Sequence, residues 1–302
     1  MATLKIEDLH KTYQGGFEAL KGVNIEVAEG DFFGLLGPNG AGKTTIIGIV
    51  TSLITKTSGR VEVFGIDIDK DFPAAKRMLG VVPQEFNFSQ FEKVIDIVIQ
   101  QAGYYGMTRK AALARAEIYL KRLSLWDKRN NQARQLSGGM KRRLMIARGL
   151  IHDPKLLILD EPTAGVDVEL RRGMWEFLEE LSAEGRTIIL TTHYLEEAEQ
   201  LCNKLAIIDG GRMIASSSTR DLLRRLDHEV LIFESREPLP EIPALAGIPF
   251  VRLHDTGVEF NKPKGLSLNE IFSHFSANAV IIDSMRNKSN RLEELFIEMV
   301  EH

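Results

Sequence analysis

Residues 31–50 read DFFGLLGPNGAGKTTIIGIV. An apolar run closes on a glycine-rich turn, and an apolar helical pattern begins directly after Lys43. Gly37, Gly42, Lys43 and Thr44 stand at the fixed positions of G-x-x-x-x-G-K-[ST]. The glycines let successive backbone N–H groups turn inward around phosphate oxygens. The helix N-terminus adds a partial positive charge, the lysine reaches the terminal phosphates, and the threonine hydroxyl suits Mg²⁺. A chain of 302 residues matches this pattern by accident about once in a hundred. The strand-turn-helix context that the chemistry demands is also present. The stretch predicts a phosphate-binding loop within an α/β fold.

Outward from the loop, VEVFGI (from Val61), LLILD (from Leu156), TIILTTH (from Thr187) and KLAIID (from Lys204) read as near-continuous apolar strands. VELRRGMWEFLEELSAEG, from Val168, reads as a helix between two of them. Strands apolar at both parities and separated by helices predict a parallel sheet covered on both faces. Near residue 228 the texture changes. Five of the ten prolines lie between Pro238 and Pro263, and alternating strand candidates appear: EVLIFES, PFVRLHD, GVEFNKP and AVIIDSM. LSLNEIFSHFS and RLEELFIEMVEH read as helices. From Asp221 onward there are 9 basic and 14 acidic residues. The expectation is an α/β domain over 1–227 and a small, acidic α+β domain over 228–302.

The composition excludes several classes. Lys and Arg total 38 against 42 Asp and Glu, a net charge of −4, which argues against a duplex nucleic-acid binder. One cysteine, Cys202, excludes a disulfide framework and a multi-cysteine metal site. No stretch approaches the roughly 18 apolar residues of a membrane span, and MATLKIEDLH does not read as a secretory signal.

Three further features carry chemistry. LLILDEP puts Asp160 and Glu161 at the end of a buried strand, where open α/β sheets build their sites. Alone, the pair fits a solvated turn before Pro162. Downstream of a phosphate loop, Asp160 suits a Mg²⁺ contact, direct or through water, and Glu161 suits the base that takes a proton from water. His193 closes TIILTTH, either as a structural histidine or as a contact to a terminal phosphate. LSGGM, residues 136–140, precedes the basic pattern KRRLMIARGLI. Ser137 there is either a plain N-cap or part of a second anion-binding turn.

The ordered set resolves these alternatives together. The phosphate loop, Gln84 in VVPQEFNF, LSGGM, LLILDEP, AGVD and His193 resemble the nucleotide-binding domain of ABC transporters over residues 3–220. KTYQGGFEAL, LSGGMKRRLMIAR, LDEPTAGVD, TTHYLEEAE and the ending RNKSNRLEELF are most similar to bacterial YadG-like exporter ATPases.

The resemblance implies a P-loop fold with a helical subdomain over about 88–155, and an ATPase using ATP and Mg²⁺. It implies a homodimer with two ATP at its interface and a separately encoded polytopic membrane permease. The implied location is peripheral, on the cytoplasmic face of the bacterial inner membrane. Tyr13 would stack on adenine, or else is a surface turn aromatic. Gly37, Pro38, Asn39, Gly40, Ala41, Gly42, Lys43, Thr44 and Thr45 would wrap the triphosphate. Thr44, Asp160 and Gln84 would hold Mg²⁺, with Gln84 also sensing the membrane partner, or else being a solvated amide. Ser137, Gly138 and Gly139 would bind the γ-phosphate of ATP held by the opposite subunit, and Asp167 would link the two sites. Glu161 would be the general base and His193 the switch, with Lys43 and Gln84 completing the catalytic set.

Two positions depart from the family pattern. Met140 stands where glutamine is commonest and Val166 where leucine is frequent. Altered dimer contacts rather than lost hydrolysis are expected. Phe86, Phe88, Phe91, Tyr104 and Tyr105 mark the segment that would receive the membrane subunit, or else pack the helical subdomain, while Val94, Ile97 and Val98 are spaced as core. His228, His254 and His274 lack metal-ligand spacing, and the tail reads as regulatory, dimer-stabilising or merely accessory. The competing function is a soluble ABC-type switch on nucleic acid or ribosome. Such relatives usually fuse two cassettes, insert a coiled coil or carry zinc sites, none of which is seen here.

Overall fold

The computed structural model describes residues 2–224, 228–288 and 290–300. The chain divides between Ser218 and Thr219 into two compact units. The boundary expected at 227/228 abuts residues 225–227, which lie outside the described residues. The helix Thr219–Leu223 belongs to the second unit.

The first unit is built on a six-stranded sheet in the order Arg212–Ser218, Lys204–Asp209, Phe32–Leu36, Thr187–Thr191, Leu156–Asp160, Leu79–Val82. The last five run parallel and Arg212–Ser218 is antiparallel to its neighbour. Every residue of Phe32–Leu36, Leu156–Asp160 and Thr187–Thr191 is buried, as strands covered on both faces require. Sequence reading missed the short edge strand Leu79–Val82, which ends just before Gln84.

VEVFGI is not part of this sheet. Ser58–Val63 lies instead in a four-stranded antiparallel sheet, between Ala2–Thr12 and the two-residue strand Ile66–Asp67. Its burial alternates: Val61 and Val63 are fully buried, while Arg60 is exposed and Glu62 half-buried. That is the period of a strand with one covered face. Phe64 and Gly65 then take φ of 49° and 76°, so the apolar string bends into a hairpin rather than continuing.

The helices Val94–Tyr104, Arg109–Arg122 and Gly138–Leu150 form the helical segment. Val94, Ile97 and Val98 are buried, as their spacing predicts. Thr108 caps the middle helix by accepting from the Ala111 N–H. Beside these helices His152 stacks flat on Tyr105, with ring centroids 3.5 Å apart, and its Nε2 pairs with the Leu79 carbonyl at 2.8 Å. Burial pulls the His152 imidazole down to about 4, so it folds neutral. Its contribution is present above the unfolded value near 6.5 and is lost as pH falls from there toward 4. Urea titrations should show about 2 kcal/mol of stability lost at pH 5 relative to pH 7 through this group, a loss that His152→Gln removes.

The second unit is an antiparallel sheet in the order Val251–His254, Gly257–Pro263, His228–Ser235, Ile282–Asn287. The helix Leu268–Ala277 packs Ile271 and Phe275 against Phe233 and Phe260 of the sheet, all buried. Ser267 and Glu270 start that helix with a reciprocal capping box. His254 faces Glu234 and His274 pairs with the Pro243 carbonyl. Among the described residues no cluster of His, Cys, Asp or Glu could hold a metal ion.

Candidate functional site

The parallel strands deliver their C-terminal ends to one edge of the sheet, and the candidate residues follow those ends. Gly37–Gly42 joins the strand Phe32–Leu36 to the helix Lys43–Val50. Gly42 sits at φ 115°, a conformation only glycine holds without strain. A Cβ on Gly37 would lie 2.2 Å from the Ile208 carbonyl oxygen of the neighbouring strand. The loop therefore rests directly on the sheet backbone. Pro38 is half-buried, Asn39, Gly40 and Thr44 are exposed, and Ala41 is buried. The Lys43 ammonium donates to the carbonyls of Gly37 at 2.6 Å and Pro38 at 3.0 Å. Burial pulls its pKa down, and the charges of Glu161 and Asp160 push it back up. Tyr13 reaches the same helix start, its hydroxyl 3.3 Å from Thr45 Oγ1 with the Lys11 ammonium over its ring.

Asp160 ends its strand buried and accepts from the Thr191 hydroxyl on the adjacent strand. Burial pushes its carboxyl up, while that hydrogen bond, Lys43 and Arg142 act in the opposite sense. Glu161 turns out of the sheet at φ 47°. Its N–H is held by the Thr191 carbonyl at 3.0 Å. Its Oε2 accepts from the Gln84 amide at 2.9 Å and lies 3.2 Å from His193 Nδ1. Gln84, Glu161 and His193 come from three separate segments and meet at one carboxylate oxygen. Thr191, which clamps both Asp160 and Glu161, was not singled out in the sequence. The only signal was a polar Thr-Thr pair ending an otherwise apolar strand.

Ser137 caps the helix Gly138–Leu150, accepting from the Met140 N–H at 3.3 Å. Ser137 and Gly138 are exposed and Gly139 is buried. A Cβ on Gly139 would meet Leu170 at 2.6 Å, with Val166 close behind. Asp167 caps the helix Val168–Ala183 by accepting from the Leu170 N–H at 2.9 Å. The signature turn and Asp167 are thus packed side by side, apart from the direct contacts that join Gln84, Glu161 and His193. Arg142, on the signature helix and 4% exposed, donates to the Pro83 carbonyl beside Gln84.

The aromatic segment divides. Phe91 and Tyr104 are 71% and 84% exposed, and Phe86 is also exposed. Phe88 is half-buried, and Tyr105 packs on His152. Arg148 donates to Asn87 and Gln101 in the groove that Phe88 and Tyr104 line.

The ABC transporter family model matches residues 20–164. The chain is 43% identical over 222 residues to the Nod factor export ATP-binding protein I of Cupriavidus pinatubonensis, covering 74% of this chain and 68% of that protein. It is 33% identical to the linearmycin resistance ATP-binding protein LnrL of Bacillus subtilis, covering 98% and 97%. An ATP-binding cassette solved as a post-hydrolysis dimer with ADP and Pi superposes with a TM-score of 0.66 at 27% identity, over 72% of this chain and 99% of that one. These relatives weigh for a transporter subunit and against a switch on nucleic acid or ribosome. With the phosphate loop, the Asp160–Glu161 strand end and the LSGGM turn in place on this fold, the chain belongs to the ABC transporter family, as one of its ATP-binding, ATP-hydrolysing subunits.

Proposed function

We propose that two copies close head to tail around two ATP molecules and drive a separate polytopic permease that exports its cargo, as a member of the YadG-like exporter ATPases. ATP binding stabilises the closed pair by mass action, and hydrolysis resets it. Under this reading Gly37–Thr45 of one copy faces Ser137, Gly138 and Gly139 of the other, with Asp167 between the sites and Tyr13 against adenine. The exposure of Ser137 and Gly138 is compatible with that role. Export is supported by the name of the Nod factor export relative. Among the described residues no helix is long and apolar enough to cross a membrane, and the proposed location is peripheral, at the cytoplasmic face of the bacterial inner membrane.

The donor set fits Mg²⁺. The exposed Thr44 hydroxyl, the Asp160 carboxylate and the Gln84 amide are hard oxygen donors too few to form a closed cage, the arrangement Mg²⁺ completes with water and phosphate oxygens. When bound, the ion neutralises charge building on the β- and γ-phosphates. Lys43 adds a positive charge at the same end, and the loop N–H groups orient the chain of phosphates. Glu161 directs a water toward the γ-phosphate and takes its proton. His193 and Gln84 both hold the Glu161 carboxylate at the same oxygen.

The observation that carries the coupling is the 2.9 Å hydrogen bond from Gln84 to Glu161. It joins the water-directing carboxylate to the segment that bears Phe86, Phe91 and Tyr104, where aromatic rings suit an interface core. Tagged Glu161→Gln purified in detergent with ATP should bring a polytopic membrane protein in stoichiometric amount. Adding Phe91→Asp should break that association while leaving nucleotide binding intact. Recovery of the protein alone, or with ribosomes or DNA, would sink the transport reading, and unchanged capture by the double variant would sink the docking surface.

A further inference from the structure

One buried carboxylate beneath the site has no part in the chemistry described so far. Glu197, on the helix Leu195–Leu201, is 0% exposed. Its Oε1 accepts from the Thr163 hydroxyl at 2.9 Å and from the Trp175 indole N–H at 3.0 Å. The two donors and the acceptor come from three places that matter. Thr163 lies two residues beyond Glu161, Trp175 lies on the helix that Asp167 caps, and the helix that carries Glu197 begins two residues after His193. A second tie runs alongside: the Arg171 guanidinium stacks over the Tyr194 ring at 4.3 Å and points a nitrogen at the Val166 carbonyl.

Stability alone does not account for a carboxylate here. Its Oε2 is buried with no hydrogen-bond partner among the described residues, and burial pushes its pKa up. An apolar side chain of similar volume would avoid that desolvation cost. What the carboxylate supplies is a single acceptor, carried by the segment that follows His193, for donors from two otherwise independent segments.

We propose that Glu197 is a positioning residue for ATP hydrolysis, tying the Glu161 loop, the His193 loop and the Asp167 helix so that they move as one piece. The proposal rests on the reading of Glu161 as the water-directing base and His193 as its partner. Since none of the three segments is the phosphate loop, the clasp bears on turnover and not on nucleotide affinity.

The test uses the full chain and two substitutions. Glu197→Leu keeps the volume and removes the acceptor, whereas Glu197→Gln keeps a carbonyl oxygen where Oε1 sits. ATPase kcat, affinity for trinitrophenyl-ATP and thermal melting are measured for each, with Glu161→Gln alongside. Glu197→Leu should lose roughly ten- to a hundredfold in kcat with affinity within about twofold, and Glu197→Gln should recover most of the rate. Wild-type turnover by folded Glu197→Leu overturns the proposal. So does a parallel fall of affinity and rate, or a Gln variant as slow as the Leu variant. If Glu197→Leu does not fold, Trp175→Phe decides, because it removes one donor and should also lower kcat at constant affinity. Normal hydrolysis by Glu161→Gln would instead remove the reading beneath the proposal, an outcome read on a different variant.

Discussion

Glu161→Gln is expected to bind ATP, to lose hydrolysis by on the order of 10²–10⁴-fold, and to accumulate as a dimer in its presence. The amide keeps the size of the carboxylate and one oxygen to face the Gln84 amide, whose nitrogen now donates to Glu161 Oε2. What it loses is the capacity to take a proton. The backbone is undisturbed, because the Glu161 N–H is held by Thr191 whichever side chain is present. Binding should survive because the phosphate loop lies on another strand. Single-turnover hydrolysis and size-exclusion chromatography with and without ATP check both halves, and a normal rate would remove Glu161 from the base role.

The second large effect is expected at Lys43. Lys43→Met preserves an unbranched side chain in a site only 7% exposed and deletes the ammonium. A hydrogen bond to a charged group contributes about 1.5–3 kcal/mol, so nucleotide affinity should fall by roughly 10- to 150-fold. Folding should hardly change. The lost bonds to the Gly37 and Pro38 carbonyls are offset by relief of the burial that pulls the ammonium's pKa down. Loss concentrated in affinity would contrast with Glu161→Gln, where it is concentrated in rate. Equal affinity in Lys43→Met and the parent chain would contradict the assignment of this lysine to phosphate.

The glycine turn before Lys43, the buried strand ends and the Ser137 cap were legible as local structure because each rests on local rules. Glycine at 37 and 42 answers to close packing and to positive φ, and fully apolar runs answer to strands buried on both faces. VEVFGI misled because its composition resembles a buried strand while Arg60, Glu62 and the Phe64–Gly65 turn make it half-covered. The hidden part is the set of partners. Glu196, Glu197 and Glu199 stand close together in TTHYLEEAE, yet Glu197 is fully buried, beside the buried Ala198 and Leu201. The helical period points to that stripe, but only its packing neighbours reveal that Trp175 and Thr163 lie opposite. Among the five aromatics, too, spacing did not separate Tyr105, stacked on His152, from the exposed Tyr104.

Glu161 holds its carboxylate from a left-handed backbone conformation at φ 47°, one that costs a non-glycine residue on the order of 1 kcal/mol. On the proposed base role of Glu161, foldedness and turnover rank the residues at this position in opposite orders. Glycine relieves the strain and would rise in any screen that scores only abundance, while a screen that scores activity retains glutamate. Position 161 is thus where two mutational landscapes of the same chain pull apart, and a variant that gains abundance there has gained it by abandoning the reaction.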